Sequence, residues 1–370
     1  MTVRRELNGM IETTKLNCIV DSEAFLKKAI TAVTSTDVES LLAVLPIVPD
    51  DRYVFAPAQP SSSWVEGKFH WMPVGKDRGN AGRIKLAHNP INPIAERLIN
   101  GMEALIELMQ QREMLNDPSK EPPKSPREAI ERYFGLPPLD QLPKFEGQQR
   151  KGLMGTAREL ARKLRIHLLI DKSSGEFTVC IEDDGIGQLP EKVHKTLLSL
   201  GSTNKGDKPY LIGVFGQGGS SAYSACKYSW VISRRAPDLI GDCEDGIGWT
   251  VIKHVFPKGR RDDYFAYLAA HPDGRVPFFD KRASDKVAIA HGTRFVHVNY
   301  NFGRGGAQVV RRLFPSLNHV LFNPVIPYEL YAGRDSADLM SGNAYRLSNL
   351  FLRGPTPVLD KTFNSQPIHC

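Results

Sequence analysis

The sequence predicts an α+β fold in which helices lie against a mixed, largely antiparallel sheet. Three observations predict it. From Arg150 onward the chain reads as a helix, two apolar runs, a glycine-rich loop, a second helix and three more apolar runs. The runs IHLLID (166–171) and FTVCIED (177–183) are joined by KSSGE, a short Ser-Gly turn of the kind that links antiparallel strands. No internal repeat of useful period occurs beyond a short acidic-glycine string at 182–187 and 244–248.

Composition sets the outer bounds. The chain has 370 residues, 41% hydrophobic and 24% charged, as in soluble globular proteins. No stretch approaches the roughly 18 apolar residues of a membrane span. The N-terminal MTVRRELNGMIETTKLN lacks the apolar core of a secretory signal. Five cysteines are scattered, without a CxxC pair. They argue against a disulfide framework or zinc site and predict a reducing, cytoplasmic setting. A net charge of +7 is compatible with nucleic acid or with a polyphosphate ligand.

The elements follow in order. Residues 1–89 form an N-terminal extension in which Ala24–Leu45 carries apolar residues at helical spacing. Residues 46–64, rich in Pro and Ser, read as a connector. Pro93 opens a helix to about Met109, with Asn92 as its cap. Residues 116–145 carry seven prolines around one short helix, Pro126–Tyr133, and read as an inserted surface loop or linker. A helix over Gly152–Lys163 leads into the hairpin. An Ala/Ser helix at 220–226 precedes strands at 228–234, 249–256 and 292–300. The main domain spans 90–300, and 301–370 begins a short C-terminal region.

Three constellations carry chemistry. On the helix at 93–109, Leu98, Met102, Leu105 and Met109 form one stripe, and Glu96, Asn100, Glu103 and Glu107 lie opposite. An ordinary amphipathic helix would simply solvate that acidic face. As a site, a carboxylate there can activate a water, and an Asn carbonyl is a hard oxygen ligand for magnesium. In the strand at 177–183, period two places Asp183 on the apolar face with Phe177, Val179 and Ile181. A carboxylate there needs a hydrogen-bond donor, such as a nucleobase amino group. Gly185 and Gly187 let a flat ring approach the backbone. A strand-ending turn with a solvated Asp is the plain alternative. The run LSLGSTNKGDKPYLIGVFGQGGSSA (198–222) places Gly213, Gly216, Gly218 and Gly219 before a helix, where backbone N–H groups can face an anion. Upstream, Lys205 and Lys208 lie in a stretch suited to a lid or to an ordinary surface loop. No GK[ST] follows, so this is not a Walker loop.

Taken in order, E-x3-N-x2-E-A (96–104), D-x-G-x-G (183–187), G-x2-G-x-G (213–218) and GT (292–293) resemble the GHKL ATPase superfamily. That family includes DNA gyrase B, the ninety-kilodalton heat-shock chaperones, CheA-type histidine kinases and MutL. LIGVFGQGGSSAYSA is most similar to the chaperone, MutL and MORC branches. The resemblance implies a Bergerat-type sandwich that binds ATP with magnesium, hydrolyses it, and uses it as a conformational or dimerisation switch. It implies Glu96 as general base, Asn100 as the magnesium ligand, and Asp183 as acceptor of the adenine amino group. Gly185 and Gly187 then lie beside the ring, and Thr293 supports the adenine contact. Gly213, Gly216, Gly218 and Gly219 form the phosphate lid, with Lys205 as its cation. Glu103 stands where the family usually has Asp.

Two features depart from the family. The interval from Glu96 to Asp183 is longer than usual, which the segment 116–145 explains. A transducer domain that supplies a Lys to the γ-phosphate is not evident in 301–370, so the region reads as transducer-like or partial. The alternative is a nucleotide-gated or chaperone-like binding module with little hydrolysis. A histidine kinase is disfavoured, because His167 lies in a strand and His194 follows the adenine motif. The branch resemblance implies DNA-linked or anti-phage work. Basic clusters at Arg150–Lys151, Lys258–Arg261 and Arg311–Arg312 are explained as solvated surface, with nucleic acid as the alternative partner. A second acidic-glycine string, EDGIG at 244–248, has Glu where the motif needs Asp and reads as a hairpin turn.

Overall fold

A computed structural model describes residues 22–48, 64–84, 87, 89–200, 208–212, 218–256, 263–281, 285, 289–303, 308–353, 362–363 and 366–367. The fold is a mixed sheet, largely antiparallel, with helices packed on it, as the sequence predicts. Strands β1 (His70–Pro73), β2 (Leu164–Ile170), β3 (Phe177–Asp183), β4 (Cys226–Arg234), β5 (Gly246–Val255), β6 (Tyr264–Ala269), β7 (Phe278–Asp280), β8 (Gly292–Tyr300), β9 (Tyr328–Ala332) and β10 (Asp338–Met340) build it. They lie in the order β1, β6, β5, β4, β8, β3, β2, β9, β10, with β7 also pairing with β5. Only β2 and β9 run parallel among these described pairs. A separate pair, β11 (Thr362–Phe363) and β12 (Gln366–Pro367), follows.

Both faces of the sheet are covered. On one face lie α3 (Ile91–Asn116), α4 (Pro126–Phe134), α5 (Gly147–Ala161), the single turn α6 (Val193–Thr196), a 3₁₀ helix (Gly218–Ala225), α7 (Val309–Val320) and α8 (Gly342–Arg353). Leu98, Met102 and Leu105 of α3 bury against Ile166, Val179 and Ile181 there. On the other face, Phe25, Leu26, Val38 and Leu41 pack on Trp230, Trp249, Phe279 and Val296. They come from α1 (Ser22–Thr31) and α2 (Ser35–Ala43). From Ser229 onward β4 is buried on both faces, and β8 is nearly so, which is why these stretches read as largely apolar runs.

Several elements differ from their sequence reading, each for a local reason. Ala24–Leu45 is two helices, because Thr34 and Asp37 form a reciprocal capping box that starts α2 afresh. α3 runs from Ile91 to Asn116. Asn92 is not its cap; the Asn89 side chain accepts from the Ile91 N–H at 3.0 Å. Pro93 is tolerated in the first turn, where its missing N–H leaves no helical bond unmade. Segment 116–145 is not a loose surface loop. Ser125 caps α4, Gly135 ends it in the left-handed region, and Ile130, Leu136, Leu139 and Leu142 join the main core. The helix expected at 220–226 is the 3₁₀ turn Gly218–Ala225.

Candidate functional site

The end of β3 and the start of β8 lie side by side, with Asp183 opposite Thr293. The Asp183 Oδ1 accepts from the Gly185 N–H at 3.0 Å. Burial pushes its carboxyl up to about 7, with Asp184 adding in the same direction, while the Gly185 and Thr293 backbone N–H groups pull it down. The neighbouring Asp184 turns away to Arg165 at 2.8 Å. Behind Asp183, Ser233 and Thr293 share a hydroxyl–hydroxyl bond of 2.9 Å, and Ser233 Oγ accepts from the Gln188 N–H at 2.9 Å. Three strands thus meet in one polar floor.

The loop after β3 is pinned to α3. The Ile186 N–H donates to the Ala104 carbonyl at 3.0 Å. His291 Nδ1 bonds the Gly185 carbonyl at 2.7 Å. A Cβ at Gly185 would lie 2.5 Å from that of Ala104, and one at Gly187 would lie 1.8 Å from the Arg234 carbonyl oxygen. Gly187 also has φ +61°, so both positions require glycine.

The polar face of α3 is not a uniformly solvated stripe. Glu103 is only 5% exposed, and its Oε1 accepts from the Ile212 N–H at 3.0 Å. Glu107 accepts from Lys208 Nζ at 2.6 Å and from the Tyr210 hydroxyl at 3.3 Å. Two carboxylates therefore tether segment 208–212 along the helix. Glu96, at the start of this face, is exposed.

These parts enclose a cavity of about 370 Å³, within the roughly 300–1,000 Å³ usual for small-molecule sites. Asn100, Glu103, Asp183, Gly187 and Thr293 line it, and Ser220 reaches it from the 3₁₀ helix. Glu96 and Gly185 are not among the lining residues. Gly218 and Gly219 open the 3₁₀ helix that carries Ser220. Lys205, Gly213 and Gly216 lie outside the described residues. Where the described chain leaves the cavity toward residue 200, it is held from below. The Gly75 N–H donates to the Leu198 carbonyl at 2.9 Å, and Arg83 Nη2 to the Leu200 carbonyl at 3.0 Å.

Several lining side chains were absent from the sequence reading of the site, among them Arg97, Gln188, Lys195, Thr196 and Arg235. Only Arg97 left a periodic signal. It shares the i, i+4, i+7 stripe of Gly101 and Ala104, the two small residues through which α3 approaches β3 and its loop. The second acidic-glycine string contributes nothing to the cavity. Asp245 pairs with Arg234 at 2.7 Å, both nearly buried, between β4 and β5.

Among the described residues, no group of three or more His, Cys, Asp or Glu could hold a metal ion. A cation here would draw on Asn100 and on its ligand's own oxygens. No described helix is long and apolar enough to cross a membrane. No protein-family model matches the chain, and comparison with curated proteins finds no match.

Proposed function

We propose that the chain is a GHKL-type domain that binds ATP with magnesium and hydrolyses it, as a conformational or dimerisation switch. One observation carries the reading. Asn100, Asp183, Gly187 and Thr293, remote in sequence, line a single cavity of small-molecule size. In this reading Asp183 accepts the adenine amino group, with the Ser233–Thr293 hydroxyl pair beside it. A donor at Asp183 offsets the cost of a carboxylate held at about 7. Gly187 lines the cavity, where a flat ring would lie against backbone. Asn100 supplies a neutral oxygen to magnesium, which when bound polarises phosphoryl oxygens. Ser220 and the backbone N–H groups at the start of its helix face the phosphates.

Thermal unfolding with ATP and magnesium tests binding, since a ligand of the native state raises the melting temperature by mass action. The expected result is a rise that Asp183→Asn abolishes. No rise in the wild type would sink the reading.

A second reading, a nucleotide-gated module with little hydrolysis, is favoured by the exposure of Glu96 outside the cavity lining. Single-turnover assays with excess protein separate the two. Phosphate release in the wild type that Glu96→Ala slows about 100-fold or more, with ATP still bound, supports hydrolysis by Glu96. No release over hours supports the gate.

A further inference from the structure

Arg97 is the least expected member of the cavity wall. It follows Glu96 on α3 and is only 6% exposed. Its guanidinium stacks 3.9 Å above the Phe295 ring and 5.1 Å from the Tyr223 ring. Its Nε and Nη2 are buried and have no hydrogen-bond partner, and no carboxylate among the described residues pairs with it. Of the other cations lining this wall, Lys195 is exposed, Lys208 is held by Glu107 at 2.6 Å, and Arg235 keeps its Nε buried and unbonded while its Nη1 reaches the Gly187 carbonyl at 3.5 Å.

A buried guanidinium with two unused donors is costly. Two aromatic faces offset part of that cost. A Met or Leu would fill the same space without any. The arginine is therefore best explained by an anion that reaches it.

Its position indicates which part of a ligand that is. A Cβ at Gly101 would lie 3.4 Å from the Asp183 Cβ, so Gly101 marks the Asp183 end of the cavity. Arg97 stands one helical turn away from Gly101, roughly 6 Å. Along β8, Thr293 is opposite Asp183, and Phe295, the ring under Arg97, is opposite Ile181. That is a second displacement of roughly 6.5–7 Å in a strand. Tyr223 belongs to the 3₁₀ helix whose first turn carries Ser220 to the cavity. A ligand with its base on Asp183 thus extends its charged tail toward Arg97.

We propose that Arg97 is a phosphate-binding residue, its guanidinium donating to the polyphosphate of a bound nucleotide. This rests on the nucleotide reading above, and it adds a cation supplied by α3 itself, beside Asn100.

Calorimetric titration of wild type, Arg97→Met and Arg97→Lys tests it, with ATP, ADP, adenosine and inorganic tripolyphosphate, magnesium present throughout. The expected result is a loss of roughly 10- to 150-fold in ATP and ADP affinity for Arg97→Met. Adenosine should bind all three proteins alike, with Arg97→Lys intermediate for ATP. Equal ATP binding by wild type and Arg97→Met overturns the Arg97 assignment and leaves the nucleotide reading standing. So does an equal loss of adenosine and ATP affinity, which marks a packing role. Tripolyphosphate binding that depends on Arg97, without adenosine binding, keeps the anion site and overturns the nucleotide reading. No binding of any ligand overturns both. Ligand-free melting of Arg97→Met gives a separate readout. An unchanged or higher melting temperature fits an arginine kept for a ligand, and a large fall fits one kept for packing. Should Arg97→Met not fold, Arg97→Lys carries the same comparisons.

Discussion

Asp183 makes the protein pay for its own pocket. Its carboxyl, near 4 in an unfolded chain, is held at about 7 by burial. Between those values the native state binds more protons than the unfolded one, so stability falls as pH rises from about 4 to 7 and then levels. Asp183→Asn removes that slope. Ligand-free melting temperatures measured from pH 4.5 to 8 should converge at the acid end and favour the variant at pH 8. A parallel pair of curves would mean that Asp183 titrates normally. The position was readable in advance, because period two in FTVCIED puts Asp183 among apolar residues and the choice over Asp184 follows from that alone. Arg97 was not, since a lone arginine beside an apolar stripe has the same pattern as one that snorkels to solvent. Only the packing of Phe295 and Tyr223 around it distinguishes the two.

At the scale of elements, α3 shows where periodicity is informative and where it stops. It separates Leu98, Met102 and Leu105 from Glu96, Asn100, Glu103 and Glu107, and the first set is core. It does not say what covers the second set. Over Glu103 and Glu107 the cover is segment 208–212, which arrives from more than a hundred residues away, and nothing local in ERLINGMEAL announces it. Glu103→Ala should leave the Ile212 N–H without its acceptor, at a cost of about 1.5–3 kcal/mol. Hydrogen exchange at Ile212 should then quicken roughly tenfold or more, with α3 itself still protected; an unchanged rate would show that the tether holds no energy. The proline-rich segment 116–145 misleads for a similar reason. Proline density looks like a linker, yet the apolar residues between the prolines are spaced to reach the core, and a cap at Ser125 and a stop at Gly135 bound a real helix.

At the scale of the whole molecule, the central strands and the hairpin were legible, because β2 and β3, and β4 and β5, pair with sequence neighbours. Strands β1, β6, β7, β9 and β10 were not. They are short and stand at or near the sheet edges, and each is defined by a partner distant in sequence or by a brief turn. The second cover, α1 and α2, was readable as helical but not as a lid on Trp230 and Trp249. An apolar stripe tells that a face is buried, not against what.

The strand order also sets a sequence in time. β8 is inserted between β3 and β4, more than a hundred residues after β3 in the chain. The β2–β3 hairpin and the β4–β5–β6 meander can each close locally, but no strand pairing joins them until β8 enters the gap. Closing so long a loop is entropically slow, as with other long-range strand pairings. The cavity straddles that same seam, with Asp183 on one side, Arg235 just past β4 on the other and Thr293 in the middle. In refolding experiments, far-ultraviolet dichroism should therefore recover ahead of any signal from a bound nucleotide. A growing chain on the ribosome should gain its pocket only after residue 300 has emerged. Simultaneous recovery of both signals would place β8 among the first strands to dock.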